Sequence, residues 1–126
     1  MYNDLEVITM NSDYSGILIV DDDYATISLI GQILKNANIS YDFALNGGEA
    51  IQKIKSNRYR TIILDVNMPI VSGLSVVQYI KNHKYESKIV ACTSDSCVIE
   101  NYNAFGFSDV IPKPIHHEKV NIVIKD

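Results

Sequence analysis

At 126 residues, the chain is long enough for one domain with its own hydrophobic core. Apolar residues make up 47% of it and charged residues 21%, a globular composition. The net charge of −4 argues against a nucleic-acid-binding surface, and no stretch approaches the roughly 18 apolar residues of a membrane span.

The cysteines and the first residues bear on the cellular compartment. Cys92 and Cys97 have no neighbouring Cys/His pair at metal-ligand spacing, so both are predicted to be reduced thiols of an intracellular protein. Residues 1–16 contain acidic residues but no Lys or Arg, unlike a secretory signal, which begins with positive charge. We therefore predict a cytoplasmic protein with a tail or linker over 1–16 and one domain over 17–126.

The first half of this domain alternates apolar runs with helical patterns. The run Ile17–Val20 predicts a buried strand that ends in three consecutive aspartates, Asp21, Asp22 and Asp23. Apolar residues then recur at spacings of three and four, which predicts a helix with Asp23 as its N-cap. A weaker strand over 41–45, a turn at 46–48 and a helix over 49–56 follow.

The second half begins with the most informative run. Ile62, Ile63 and Leu64 lead directly into Asp65, which predicts a strand covered on both faces with an acid at its carboxyl end, and Pro69 stops regular structure. The remaining predicted elements are a helix capped by Ser72, a strand over 88–92 followed by Thr93, a helix over 98–105 ended by Gly106, a strand over 109–111 and a helix over 116–125.

Strands and helices thus alternate five times, which predicts an α/β fold with a parallel sheet covered by helices on both faces. The carboxyl ends of parallel strands share one edge, and ligands of such sheets bind there. That edge is predicted to collect three carboxylates, one hydroxyl and one ammonium group: Asp21, Asp22, Asp65, Thr93 and Lys113.

Such a cluster of carboxylates needs a counter-charge. Two unit charges about 4 Å apart repel by about 4 kcal/mol at an effective dielectric constant of about 20. Protonation of one acid or a bound cation would relieve this repulsion, and Lys113 alone cannot offset three negative charges. Hard oxygen ligands suit Mg²⁺. An aspartate beside Mg²⁺, a lysine and a hydroxyl is equipped to attack phosphorus as a nucleophile.

Over residues 17–115 the sequence resembles a response-regulator receiver domain. The resemblance is carried by the order and spacing of five short motifs: Ile-Val-Asp-Asp-Asp at 19–23, Asn-Gly-Gly-Glu-Ala at 46–50, Leu-Asp-Val-Asn-Met-Pro at 64–69 with Gly73, Thr93-Ser94, and Lys113-Pro114. It implies a flavodoxin-like fold with strand order 2-1-3-4-5. It also implies that the protein is not an enzyme with a separate substrate, since it catalyses only its own phosphorylation and dephosphorylation.

The resemblance further implies a role for each residue of the edge. Asp65 would accept the phosphoryl group, Asp22 would bind Mg²⁺ directly, and Asp21 would bind the metal through water or share in the site. Asn67 would give its backbone carbonyl to the metal. Thr93 would hydrogen-bond a phosphoryl oxygen, and Lys113 would pair with the acceptor and then with the phosphoryl group. The implied donor is a phosphohistidine on a histidine kinase or a histidine phosphotransfer protein, and weak self-association stays open.

One residue departs from the family pattern and leaves alternatives open. Val110 stands three residues before Lys113, where receivers often carry a Tyr or Phe that moves inward on activation. No output segment follows the last predicted helix, so the chain is expected to be a stand-alone phosphate carrier or a receiver from a hybrid histidine kinase. This absence and Val110 also leave open a pseudo-receiver that binds partners without phosphorylation. An aspartate-nucleophile phosphatase is disfavoured because its usual Asp-x-Asp-x-Thr or Val pattern would require another residue at Ala25.

Overall fold

The structure is a computed structural model that describes residues 16–68 and 71–125. The predicted N-terminal tail, apart from Gly16, and the predicted stop at Pro69 lie outside the described residues. No helix in these two ranges is long and apolar enough to cross a membrane.

Five strands and five helices alternate along the described chain. The strands are β1 (Ile17–Val20), β2 (Tyr41–Ala44), β3 (Thr61–Asp65), β4 (Lys88–Thr93) and β5 (Asp109–Pro112). The helices are α1 (Tyr24–Asn36), α2 (Gly47–Ser56), α3 (Gly73–Asn82), α4 (Ser96–Glu100) and α5 (His117–Ile124). All strand pairs are parallel and their order is β2-β1-β3-β4-β5, which confirms the predicted fold.

The central strands are buried on both faces, as their unbroken apolar runs predicted. Every residue of β1 and β3 is buried. Alternate side chains enter two separate cores: Leu18 and Leu64 pack with α2, α3 and α4, whereas Ile19 and Ile63 pack with α1 and α5. Helices therefore cover both faces, and the carboxyl ends of the strands form one edge.

Side-chain caps fix the beginnings of four helices. Asp23, Asn46, Ser72 and Asp95 each accept a hydrogen bond from a backbone amide in the first turn of the helix that follows. Such a cap contributes about 1 kcal/mol. The predicted turn over 46–48 was wrong, because the Asn46 side chain caps at Glu49 N (2.8 Å) and α2 begins at Gly47.

The fourth helix is shorter and begins earlier than predicted. The sequence predicted a helix over 98–105, but α4 spans Ser96–Glu100 and turns continue to Gly106. The helix begins two residues before the predicted start because the Asp95 side chain caps it by accepting from Cys97 N and Val98 N. The Asn101 side chain donates to Cys97 O (2.9 Å) and so competes with the helical backbone for that carbonyl. Gly106 closes the turns at φ +97°, a conformation that favours glycine.

The last helix forms despite a run of β-branched residues with low helix propensity. Val120, Val123 and Ile124 are buried against the sheet. The last turn of α5 has no basic residue of its own. Instead Lys88 Nζ donates to Val123 O (2.9 Å), and an Arg60 guanidinium nitrogen donates to Ile124 O (3.2 Å). Tertiary packing and two cations from other elements thus stabilise its C-terminal end.

Candidate functional site

Three strand ends at the carboxyl edge share one local geometry. In each, the side chain of an Asp or Thr accepts a hydrogen bond from the backbone amide two residues later. The Asp23 amide donates to Asp21 (2.9 Å), the Asn67 amide to Asp65 (3.2 Å) and the Asp95 amide to Thr93 (3.0 Å). This is the turn that short polar side chains form with their own backbone. It holds all three side chains in fixed orientations at the rim of the sheet.

Lys113 brings a positive charge to the same rim. It follows β5 directly, and its amide donates to Thr93 O (2.9 Å), which extends the sheet pairing beyond the strand. Its Nζ lies 3.1 Å from Asp21 Oδ2 and 4.0 Å from Asp65 Oδ1. One ammonium group therefore contacts two carboxylates from separate strands.

The three predicted acids meet in space. Carboxylate oxygens of Asp21, Asp22 and Asp65 lie within 4.8 Å of one another. Asp21 and Asp65 are 1% and 6% exposed, whereas Asp22 is exposed. A site with two buried acids and one at the surface can bind a cation on its buried side and still admit a ligand from solvent. Three carboxylates also form the hard oxygen set that fits Mg²⁺.

Burial and mutual repulsion disfavour the charged acids. Burial raises the pKa of Asp21 above the usual carboxyl value, against the lowering effect of the Asp23 amide and Lys113. Burial and then the charge of Asp21 raise the pKa of Asp65. Burial alone would lower the pKa of Lys113, but its hydrogen bond to Asp21 and the two negative charges raise it. The site therefore holds more negative charge than its own lysine neutralises.

Cys92 lies on β4 beside Asp65 and is too deeply buried to react as a nucleophile. It pairs in register with Asp65 and is 1% exposed. Burial raises the pKa of its thiol to about 12, so it stays protonated at neutral pH. Both cysteines are free thiols, as the sequence predicted.

The backbone after β3 returns close to Asp65. The amide of Gly73 donates to Val66 O (3.1 Å), and a Cβ atom on Gly73 would overlap the carbonyl oxygen of Asp65. Gly73 belongs to one of the motifs shared with receiver domains, but the sequence alone does not show why a glycine is needed there. The reason is this close approach of the first residue of α3 to the backbone of Asp65.

The structure places the predicted site residues at one edge of the sheet. It brings together the three acids and Lys113, with Thr93 at the adjoining end of β4. The predicted use of the Asn67 carbonyl by a metal stays a prediction. Sequence reasoning missed the amides of Asp23, Asn67 and Asp95, which hold the three side chains. Each lies two residues after a strand-end Asp or Thr, and this spacing is the signal that could have found them.

Comparisons with known proteins agree with this geometry. The family described as "Response regulator receiver domain" matches residues 17–125. A two-component response regulator from Clostridium difficile is 31% identical, with a TM-score of 0.79 over 88% of this chain and 93% of that one. The Vibrio cholerae chemotaxis protein CheY4 is 24% identical and shares the fold, with a TM-score of 0.80 over 89% of this chain and 97% of that one.

Curated relatives match this chain over only part of their own length. The hybrid signal transduction histidine kinase G of Dictyostelium discoideum is 32% identical over 115 residues, which are 86% of this chain and 3% of that protein. The chain spans less than half the length of this kinase and of three other curated relatives that it matches.

Proposed function

Because the chain belongs to the response regulator receiver domains of two-component signalling, we propose that Asp65 accepts a phosphoryl group from a phosphohistidine donor. The observation that carries the proposal is the meeting of Asp21, Asp22 and Asp65 within 4.8 Å, with Lys113 against two of them. The donor is a histidine kinase or a histidine phosphotransfer protein, and phosphorylation changes the conformation of the domain. We place this receiver over residues 17–126 of a cytoplasmic protein.

The transfer exchanges one bond to phosphorus for another. A carboxylate oxygen of Asp65 attacks the phosphorus atom, the P–N bond to the donor imidazole breaks, and an acyl phosphate forms. The imidazole leaves with the bonding electron pair and takes up a proton. Because Asp65 is held by the Asn67 amide at the end of β3, the attacking group is already oriented.

The surrounding residues stabilise the charge on the transferring group. A Mg²⁺ ion held by Asp21, Asp22, Asp65 and the Asn67 carbonyl would supply positive charge to its oxygens. Lys113 supplies a second positive charge from the end of β5. The Thr93 hydroxyl accepts from the Asp95 amide, which leaves its proton to donate to a phosphoryl oxygen. Movement of Thr93 toward that oxygen would begin the conformational change.

Incubation with acetyl phosphate and Mg²⁺ tests this function. We expect the intact mass of the protein to increase by one phosphoryl group, and we expect no increase when a chelator replaces Mg²⁺. The same preparation in Ca²⁺ is a matched control, since Ca²⁺ prefers more ligands at longer distances than this cluster supplies. An unchanged mass in Mg²⁺, from protein that is folded by circular dichroism, would contradict the proposal.

A further inference from the structure

Two adjacent glycines begin α2, and their surroundings differ. A Cβ atom on Gly47 would lie 2.5 Å from Val71 Cγ1, 2.6 Å from Val71 O and 2.8 Å from Val71 Cβ. A Cβ atom on Gly48 would meet only Asn46 Oδ1, at 3.4 Å. Alanine stabilises a helix by about 1 kcal/mol relative to glycine. Neither glycine has a positive φ, so the helix itself does not require them.

Val71, which contacts Gly47, is joined by a short stretch of backbone to Gly73, and Gly73 lies against the backbone of Asp65. Val71 lies two residues before Gly73, whose amide donates to Val66 O (3.1 Å). Gly73 also approaches the carbonyl oxygen of Asp65 too closely for any Cβ atom. Gly47 is buried, and the half-buried Val71 packs against the core that contains α2 and α3. The start of α2 thus touches the segment that returns to β3 beside Asp65.

We propose that Gly47 is a positioning residue for phosphoryl transfer, because its missing side chain lets Val71 pack against α2 and so fixes the segment of Val71 to Gly73 beside the backbone of Asp65 and Val66. The inference rests on the proposed function of Asp65. A methyl group at position 47 would displace Val71 by about 1 Å to restore an ordinary van der Waals distance. The displacement would pass through Gly73 to Asp65 without removing any side chain of the acidic site.

The test compares Gly47→Ala with Gly48→Ala, which adds the same methyl group one residue later. The initial rate of phosphorylation is measured against acetyl phosphate concentration in saturating Mg²⁺, at a temperature where circular dichroism shows both variants folded. We expect Gly47→Ala to lower the maximal rate about tenfold without changing the half-saturating acetyl phosphate concentration. Gly48→Ala is expected to stay within about twofold of the original protein.

Rescue separates positioning from a general loss of stability. Val71→Ala removes Val71 Cγ1, the atom nearest the added methyl group, but keeps Val71 O and Cβ, so we expect it to restore only about threefold of the roughly tenfold loss in the Gly47→Ala background. Equal maximal rates for the two glycine variants, or no rescue by Val71→Ala, would overturn the inference. If Gly47→Ala does not fold, the single variant Val71→Ala is measured instead. A maximal phosphorylation rate about threefold below that of Gly48→Ala supports the contact between Val71 and Gly47, and an equal maximal rate overturns the inference. If the original protein itself is not phosphorylated by acetyl phosphate in Mg²⁺, the proposed function is contradicted instead.

Discussion

Lys113→Met is expected to lower the free energy of unfolding of the metal-free protein by about 3 kcal/mol. Methionine preserves the length of the side chain and removes its charge. Asp21 and Asp65 are buried, and Lys113 Nζ lies 3.1 Å and 4.0 Å from their oxygens. Without the ammonium group, two buried carboxylates repel each other without compensation, which costs more than loss of an exposed ion pair. Urea denaturation in a chelator measures the change.

Mg²⁺ should restore part of this loss, because a cation held by the acids replaces the missing charge. We therefore expect saturating Mg²⁺ to raise the melting temperature of Lys113→Met by more than it raises that of the original protein. Lys119→Met is a matched control. Lys119 pairs with Asp109 at 3.3 Å in a more exposed position, so its loss should cost at most about 1 kcal/mol. Equal destabilisation by the two substitutions would contradict this account of the site.

Asp65→Asn is expected to abolish phosphorylation and at the same time to stabilise the metal-free protein by on the order of 1 kcal/mol. The amide keeps an oxygen for the Asn67 amide but cannot act as the nucleophile, and it removes one of the buried negative charges. Intact mass after treatment with acetyl phosphate and Mg²⁺ measures the first effect. Urea denaturation measures the second. Phosphoryl addition equal to that of the original protein would contradict the role of Asp65.

The stability gain should also depend on pH in a defined direction. Burial and the charge of Asp21 raise the pKa of Asp65 in the folded protein above its unfolded value. The cost of its charge is therefore fully present above the raised pKa and disappears as the pH falls toward the ordinary carboxyl value. We expect the difference between Asp65→Asn and the original protein to shrink as the pH falls from 7 through the raised pKa. A difference that grows toward low pH would contradict the assigned direction.

The strand ends could be predicted because they depend on short-range signals. Ile62, Ile63 and Leu64 form a branched apolar run that favours a strand covered on both faces, and Asp65 ends it. Once five such runs alternate with helical patterns, the parallel arrangement brings their ends to one edge without further information. Asp21 and Lys113 are 92 residues apart in the sequence and meet at this edge for that reason, with Lys113 Nζ 3.1 Å from Asp21 Oδ2.

Local competition between side chain and backbone could not be predicted in the same way. Asn46 and Asp95 each precede a helix whose first residue depends on which backbone amide the side chain caps, and the apolar periodicity of the helix does not specify that amide. The contact between Gly47 and Val71 joins the first residue of α2 to the segment before α3, and no periodicity in the sequence relates the two. Val110 is buried among apolar residues, so the position where receivers often carry a mobile Tyr or Phe contributes core packing in this chain.

Reduction with borohydride tests the central claim most directly, because it converts an aspartyl phosphate into a stable alcohol that peptide mass spectrometry can locate. After treatment with acetyl phosphate and Mg²⁺, we predict that the alcohol forms at Asp65 and at no other carboxylate, and that a chelator prevents it. Modification at Asp21 or Asp22, or a modified Asp65 that forms equally well in the chelator, would contradict the claim that this edge of the sheet is a Mg²⁺-dependent phosphoryl acceptor.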